Sequence, residues 1–166
     1  SSDSRYHYYT MADLLRRKLR EGMREDQGGV YGVRVSSFAT PAPEPHYRLT
    51  LSFNADPEEV DTLIAIALAE VKRIQREGAS EEDLAKLRET QIQQRIRSLK
   101  ENSFWMGQLE TRYRYGIPLT GILLQPYQEK VQNLTSEDLR QAAGQYLDRE
   151  RYLEIVLMPA VEAGRE

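Results

Sequence analysis

Cysteine is absent from the 166 residues, tryptophan occurs once and histidine twice. Without cysteine the chain can form no disulfide framework and no thiolate zinc site, and its compartment is left undecided. The two histidines, His7 and His46, stand thirty-nine positions apart. A zinc site usually needs about three or four His, Cys or carboxylate ligands in a fixed constellation, and no such set is visible. Both histidines read as surface residues. No apolar run approaches the roughly eighteen residues of a membrane-spanning helix. Positive charge is not in excess either. The net charge is −3 and no aromatic–basic stripe appears, which argues against nucleic acid as a partner. The opening Ser1–Ser4 reads as a domain edge and not as a secretory signal.

What is present fits an ordinary globular domain. Apolar residues make up 40% and charged residues 30%, and the length suits one domain with a sizeable core. Residues 1–166 are therefore expected as a single domain, with 1–7 and 160–166 loosely held. Met11, Leu14, Leu15, Leu19 and Met23 recur at helical spacing and predict a first helix over about 8–25. The run Arg16-Arg17-Lys18-Leu19-Arg20 reads as the solvated face of that helix, with a phosphate- or peptide-attracting patch as the alternative.

Val30 to Phe38 and Tyr47 to Phe53 alternate as strands, and the proline-rich stretch between them predicts an antiparallel hairpin with a long loop. Asp56-Pro57-Glu58-Glu59 announces a helix carrying Val60, Leu63, Ala67, Val71 and Ile74, which Gly78 ends. Ser80 and Thr135 open further helices, with Trp105 on another between them. Tyr152 to Met158 is almost continuously apolar, as a central strand buried on both faces would be. The fold class expected is α+β: an antiparallel β-hairpin plus a C-terminal strand, with several helices packed on one face.

The joint between the first helix and the first strand, Met23 to Val33, organises the rest. It sets Arg24 in the last helical turn and Tyr31 seven residues later at the start of a strand. A guanidinium fork and a phenol hydroxyl are both hydrogen-bond donors, suited to facing one cleft. Periodicity alone also allows a plainer reading. Arg24 is a cation at a helix C-terminus, where cations are favoured, and Tyr31 shares the face of Val33 and Val35 as a core tyrosine.

The segment Leu19-Arg20-Glu21-Gly22-Met23-Arg24-Glu25-Asp26-Gln27-Gly28-Gly29-Val30-Tyr31-Gly32-Val33 resembles the signature of insulinase/pitrilysin-type zinc peptidases, in their C-terminal, non-zinc domain. Similarity continues through Tyr47–Phe53, Asp56–Asp61, Glu77–Leu84, Glu101–Trp105, Leu134–Leu139 and Tyr146–Asp148. It is strongest to the bacterial, periplasmic-type zinc proteases of the family. The family's inverted His-x-x-Glu-His zinc motif is missing here.

The resemblance implies a partial mitochondrial-processing-peptidase-like module that embraces a peptide substrate and is inactive alone. It implies that zinc is absent from this chain and sits in an N-terminal zinc domain or partner subunit. It also implies that Arg24 and Tyr31 reach across to support the transition state, and that the compartment is the periplasm or cell envelope. A peptidase homologue that has lost activity and serves as a structural or binding subunit is the alternative. Self-association through the hairpin or the last strand is a further expectation.

Overall fold

The computed structural model describes residues 2–26, 32–40 and 44–159. Two compact units make up the chain, Ser1–Gly78 with Leu139–Glu166, and Ala79–Asp138. The first unit holds helix α1 (Ser2–Asp26), strands β1 (Val33–Thr40) and β2 (His46–Phe53), and helix α2 (Val60–Glu77). It also takes in most of the last helix, α6 (Ser136–Tyr146).

Helix α1 begins six residues before the expected start near residue 8. The reason lies in what α1 touches. Its Tyr8, Met11, Leu14, Leu15 and Leu19 are at most 1% exposed, because β1 covers one flank and α2 another. A helix buried on two sides gains from every added turn, even a polar one. Each such side chain contributes on the order of 1.5–3 kcal/mol by leaving water.

The hairpin follows its predicted alternation. Val33 and Val35 are buried while Arg34 and Ser36 are exposed, and on β2 the half-buried Leu49, Leu51 and Phe53 alternate with exposed Thr50 and Ser52. The antiparallel register runs from Val33 opposite Phe53 to Thr40 opposite His46. Helix α1 serves the other side of β1. Arg16 donates to the Val35 carbonyl through Nε at 3.1 Å and Nη2 at 2.8 Å, and the Ala39 N–H donates to the Tyr9 hydroxyl at 3.1 Å. Val35 and Ala39 lie four apart and share one edge of the strand. Tyr9 and Arg16 lie seven apart, two helical turns, so α1 runs antiparallel to β1 and covers that edge.

Tyr8, Tyr47 and Tyr146 form an aromatic cluster, with ring centroids 5.9 Å (Tyr8 to Tyr47), 5.0 Å (Tyr8 to Tyr146) and 4.7 Å (Tyr47 to Tyr146) apart. The Tyr8 hydroxyl donates to the Arg48 carbonyl at 2.8 Å. Helix α2 enters through a 3-10 turn at Pro57–Glu59, with Pro57 in the first turn and Asp56 at the cap position without a side-chain capping bond. Gly78 ends α2 with a positive φ of 71°, and Gln75 donates to the Leu147 carbonyl at 2.9 Å, tying α2 to the end of α6.

The stretch Tyr152–Met158, expected as a buried central strand, is corrected: it joins no ladder among the described residues, where β1 and β2 form the only sheet. Leu157 is 93% exposed and Leu153 82%. Apolar content reports what a segment would bury, whereas a strand also needs a neighbouring edge for its N–H and C=O groups.

The second unit contains helices α3 (Glu81–Ser98), α4 (Asn102–Tyr115) and α5 (Leu124–Gln132). Ser80 caps α3 by accepting from the Asp83 N–H at 3.1 Å, and Thr135 caps α6 by accepting from the Asp138 N–H at 3.1 Å. Gly116 stops α4 in the left-handed conformation. Leu84, Leu87, Ile122, Val131 and Leu134 are buried. The Arg95 guanidinium stacks 3.8 Å from the Tyr127 ring centroid and 5.0 Å from that of Phe104, and donates to the Ile122 carbonyl at 3.1 Å. Trp105, half-buried, donates to the Leu99 carbonyl at 2.9 Å.

Two predictions follow from this packing. Burial pushes the Tyr8 phenol from 10.0 up to about 12, so the fold favours its neutral form. That stability is complete below pH 10 and is lost as the pH rises toward 12, about 2–3 kcal/mol in all. Denaturant titrations at successive pH values should show this slope, and Tyr8→Phe should flatten it. In the second unit, Arg95→Ala should cost about 2 kcal/mol through lost stacking and a lost charged hydrogen bond. Arg95→Lys should recover less than half, because an ammonium does not stack as a plane.

Candidate functional site

The joint between α1 and β1 is built from one helix end and one strand start. Arg24 lies in the last turn of α1, with its side chain outside the described residues, and Tyr31 falls outside them altogether. The glycine pair Gly28-Gly29, read as the turn, also falls outside. The described part of the joint resumes at Gly32, whose φ of 129° is one that side-chain-bearing residues rarely adopt. Gly32 is thus a positional requirement of the joint that sequence reasoning passed over in favour of the adjacent pair.

Beside the joint, a cleft of about 440 Å³ opens between α1 and the head of the hairpin. Arg16 and Arg20 line it from the helix, Gly32 and Arg34 from the start of β1, and Ser52 and Asn54 from the end of β2. The four basic residues of the helical run therefore have separate fates. Arg16 is committed to the Val35 carbonyl and to Asp13, whose carboxylate it meets at 2.6 Å. Arg17 and Lys18 both bond Glu21, each at 2.9 Å, and those bonds, the Lys18 one foremost, lower the Glu21 carboxyl below its ordinary value. Arg20 is exposed and lines the cleft. The Asp13 carboxyl is raised above its ordinary value, because partial burial outweighs the opposing pull of Arg16.

The histidines do not meet. His7 lies in α1 with its ring 5.7 Å from that of Tyr6, and His46 is exposed at the start of β2, 6.5 Å from Phe38. Among the described residues no group of three or more His, Cys, Asp or Glu is placed to hold a metal ion. The described residues do not fit a zinc centre. No helix among them is long and apolar enough to cross a membrane.

Comparison with known proteins bears directly on this arrangement. The sequence pattern of the peptidase M16 inactive domain matches residues 4–91, which spans α1, the joint, the hairpin, α2 and part of α3. The zinc protease PQQL-like protein of Arabidopsis thaliana is 28% identical over 109 residues, covering 63% of this chain and 11% of that protein. Among solved structures, the periplasmic protease PqqL from Escherichia coli matches with a TM-score of 0.69 at 20% identity, over 87% of this chain and 16% of its own. The peptidase M16 inactive domain from Pseudomonas fluorescens matches with a TM-score of 0.67 at 19% identity, over 84% of this chain and 34% of its own. At these identities the structural likeness speaks to the fold. The chain spans about a tenth of the curated relative it matches, and about a sixth and a third of the two solved chains. With more than half of its residues inside the matched region, the chain belongs to the peptidase M16 inactive-domain family.

Proposed function

We propose that this chain is the substrate-embracing, non-zinc domain of a zinc metallopeptidase, and that Arg24 and Tyr31 lend it donors at the reacting peptide bond. The observation that carries the reading is the family match across residues 4–91, with the α1–β1 joint inside it. The zinc and its activated water belong, in this reading, to an N-terminal zinc domain of the same protein or to a partner subunit. What this chain supplies is positioning and charge. Arg24 stands at the end of a helix with a buried face, and Tyr31 precedes Gly32 in the sequence. In this reading the two donors stabilise the negative charge that develops at the reacting bond.

The exposed apolar run Tyr152–Met158 supports a pairing surface for the zinc-bearing portion, with a second copy of the chain as substitute occupant. Likeness to a periplasmic protease supports the periplasm or cell envelope as the compartment.

The experiment belongs in the full-length parent. Arg24→Ala and Tyr31→Phe should each lower turnover by about tenfold or more, since losing one oxyanion donor costs on the order of 10²–10³ in rate. Zinc content should stay unchanged. Arg24→Lys should rescue only in part, because it keeps the charge and loses the planar fork. Near-normal turnover in both Arg24→Ala and Tyr31→Phe would remove the donor role, leaving a structural or binding subunit as the reading.

A further inference from the structure

We propose that the cleft between α1 and the head of the hairpin is a binding subsite for a peptide carboxylate, held by the guanidinium forks of Arg20 and Arg34. The inference deepens the substrate-embracing reading above and rests on it for the class of ligand.

Three arginines line the cleft, and none of its described lining residues is acidic. Arg16 is already occupied, with its Nε and Nη2 on the Val35 carbonyl and its Nη1 on Asp13. It forms part of the wall and is not a free ligand. Arg20 and Arg34 differ: both are exposed, and neither makes an ion pair or hydrogen bond with another described residue. Their neighbours on α1 show the contrast, since Arg17 and Lys18 both pair with Glu21. Two uncompensated arginines lining one concave space raise its positive potential and favour an anion.

The rest of the lining points to a carboxylate on a peptide. A guanidinium matches the two oxygens of a carboxylate as parallel donors. Ser52 and Asn54 add neutral polar groups, while Val33 and Phe53 offer apolar wall to the methylenes of an acidic side chain. A phosphate site typically adds a helix N-terminus aiming its N–H groups at the anion. Here the described lining meets α1 only at Arg16 and Arg20, away from its N-terminus, so that helix offers no such N–H groups. The volume of about 440 Å³ accommodates a side chain or a chain end and does not enclose a folded partner.

The test uses the 166-residue chain and three labelled ten-residue peptides, with binding read by fluorescence anisotropy. One carries glutamates and an amidated C-terminus, one carries glutamines and a free C-terminus, and one carries glutamines and an amidated C-terminus. The chain should bind at least one of the first two about tenfold more tightly than the third. Rising salt should weaken that preference. Whichever of the two binds more tightly identifies a side-chain or a terminal carboxylate as the source.

Arg20→Gln and Arg34→Gln should each weaken the acidic peptide about threefold to tenfold, and the lysine variants should recover part of the loss. Circular dichroism checks that the variants fold, which their exposed positions favour. Equal affinity for all three peptides, binding of none, or indifference to both glutamine variants would overturn the subsite. So would inorganic pyrophosphate binding about tenfold more tightly than either acidic peptide. The readout is separate from turnover of the parent. Loss of acid preference with intact Arg24 and Tyr31 effects sinks the subsite alone, and the reverse pattern sinks the donor role alone.

Discussion

The fork of Arg16 on the Val35 carbonyl is the constraint on which the first unit depends. A charged hydrogen bond of this kind is worth about 1.5–3 kcal/mol, and its geometric effect is larger than its energy. It fixes the height of α1 along β1. Tyr9 makes the second tie at Ala39, and two ties on one strand edge leave no freedom to slide. The burial of Leu14, Leu15 and Leu19 goes with that placement. The same seam covers an edge that would otherwise recruit a foreign strand.

Because α1 is seated in this way, the basic run along it cannot act as one patch. Each arginine meets a different environment according to its angle around the helix. Arg16 faces the strand edge, Arg17 faces Glu21, and Arg20 faces the cleft beside Arg34. In the proposed reading the chain carries, next to the joint that bears Arg24, a second set of donors at Arg20 and Arg34. One set is read as meeting the reacting bond and the other as selecting what flanks it.

Much of this was legible in the sequence, for reasons that can be named. The hairpin announced itself because Val33, Val35, Leu49, Leu51 and Phe53 keep strict alternation, and period 2 has few other solutions. The cap at Ser80 and the stop at Gly78 are local chemistry and were found where expected. The start of α1 was missed because Ser2–His7 is polar, and its helicity is owed to burial of the turns that follow. Tyr152–Met158 was misread as a paired strand because hydropathy does not reveal whether a neighbouring edge exists. Arg24 and Tyr31 emerged from a family pattern and not from spacing, which allowed a structural role for both. The Arg20–Arg34 pair was invisible, since only the folded register brings residue 20 of a helix beside residue 34 of a strand.

The central claim is that this domain contributes donors and enclosure to a zinc centre it does not itself hold. Metal analysis of the purified chain, combined with a peptide-cleavage assay on the same sample, tests it most directly. The account predicts zinc well below one ion per chain after mild chelation and no cleavage above the blank. About one zinc per chain that resists the chelator, accompanied by peptide hydrolysis, would contradict it.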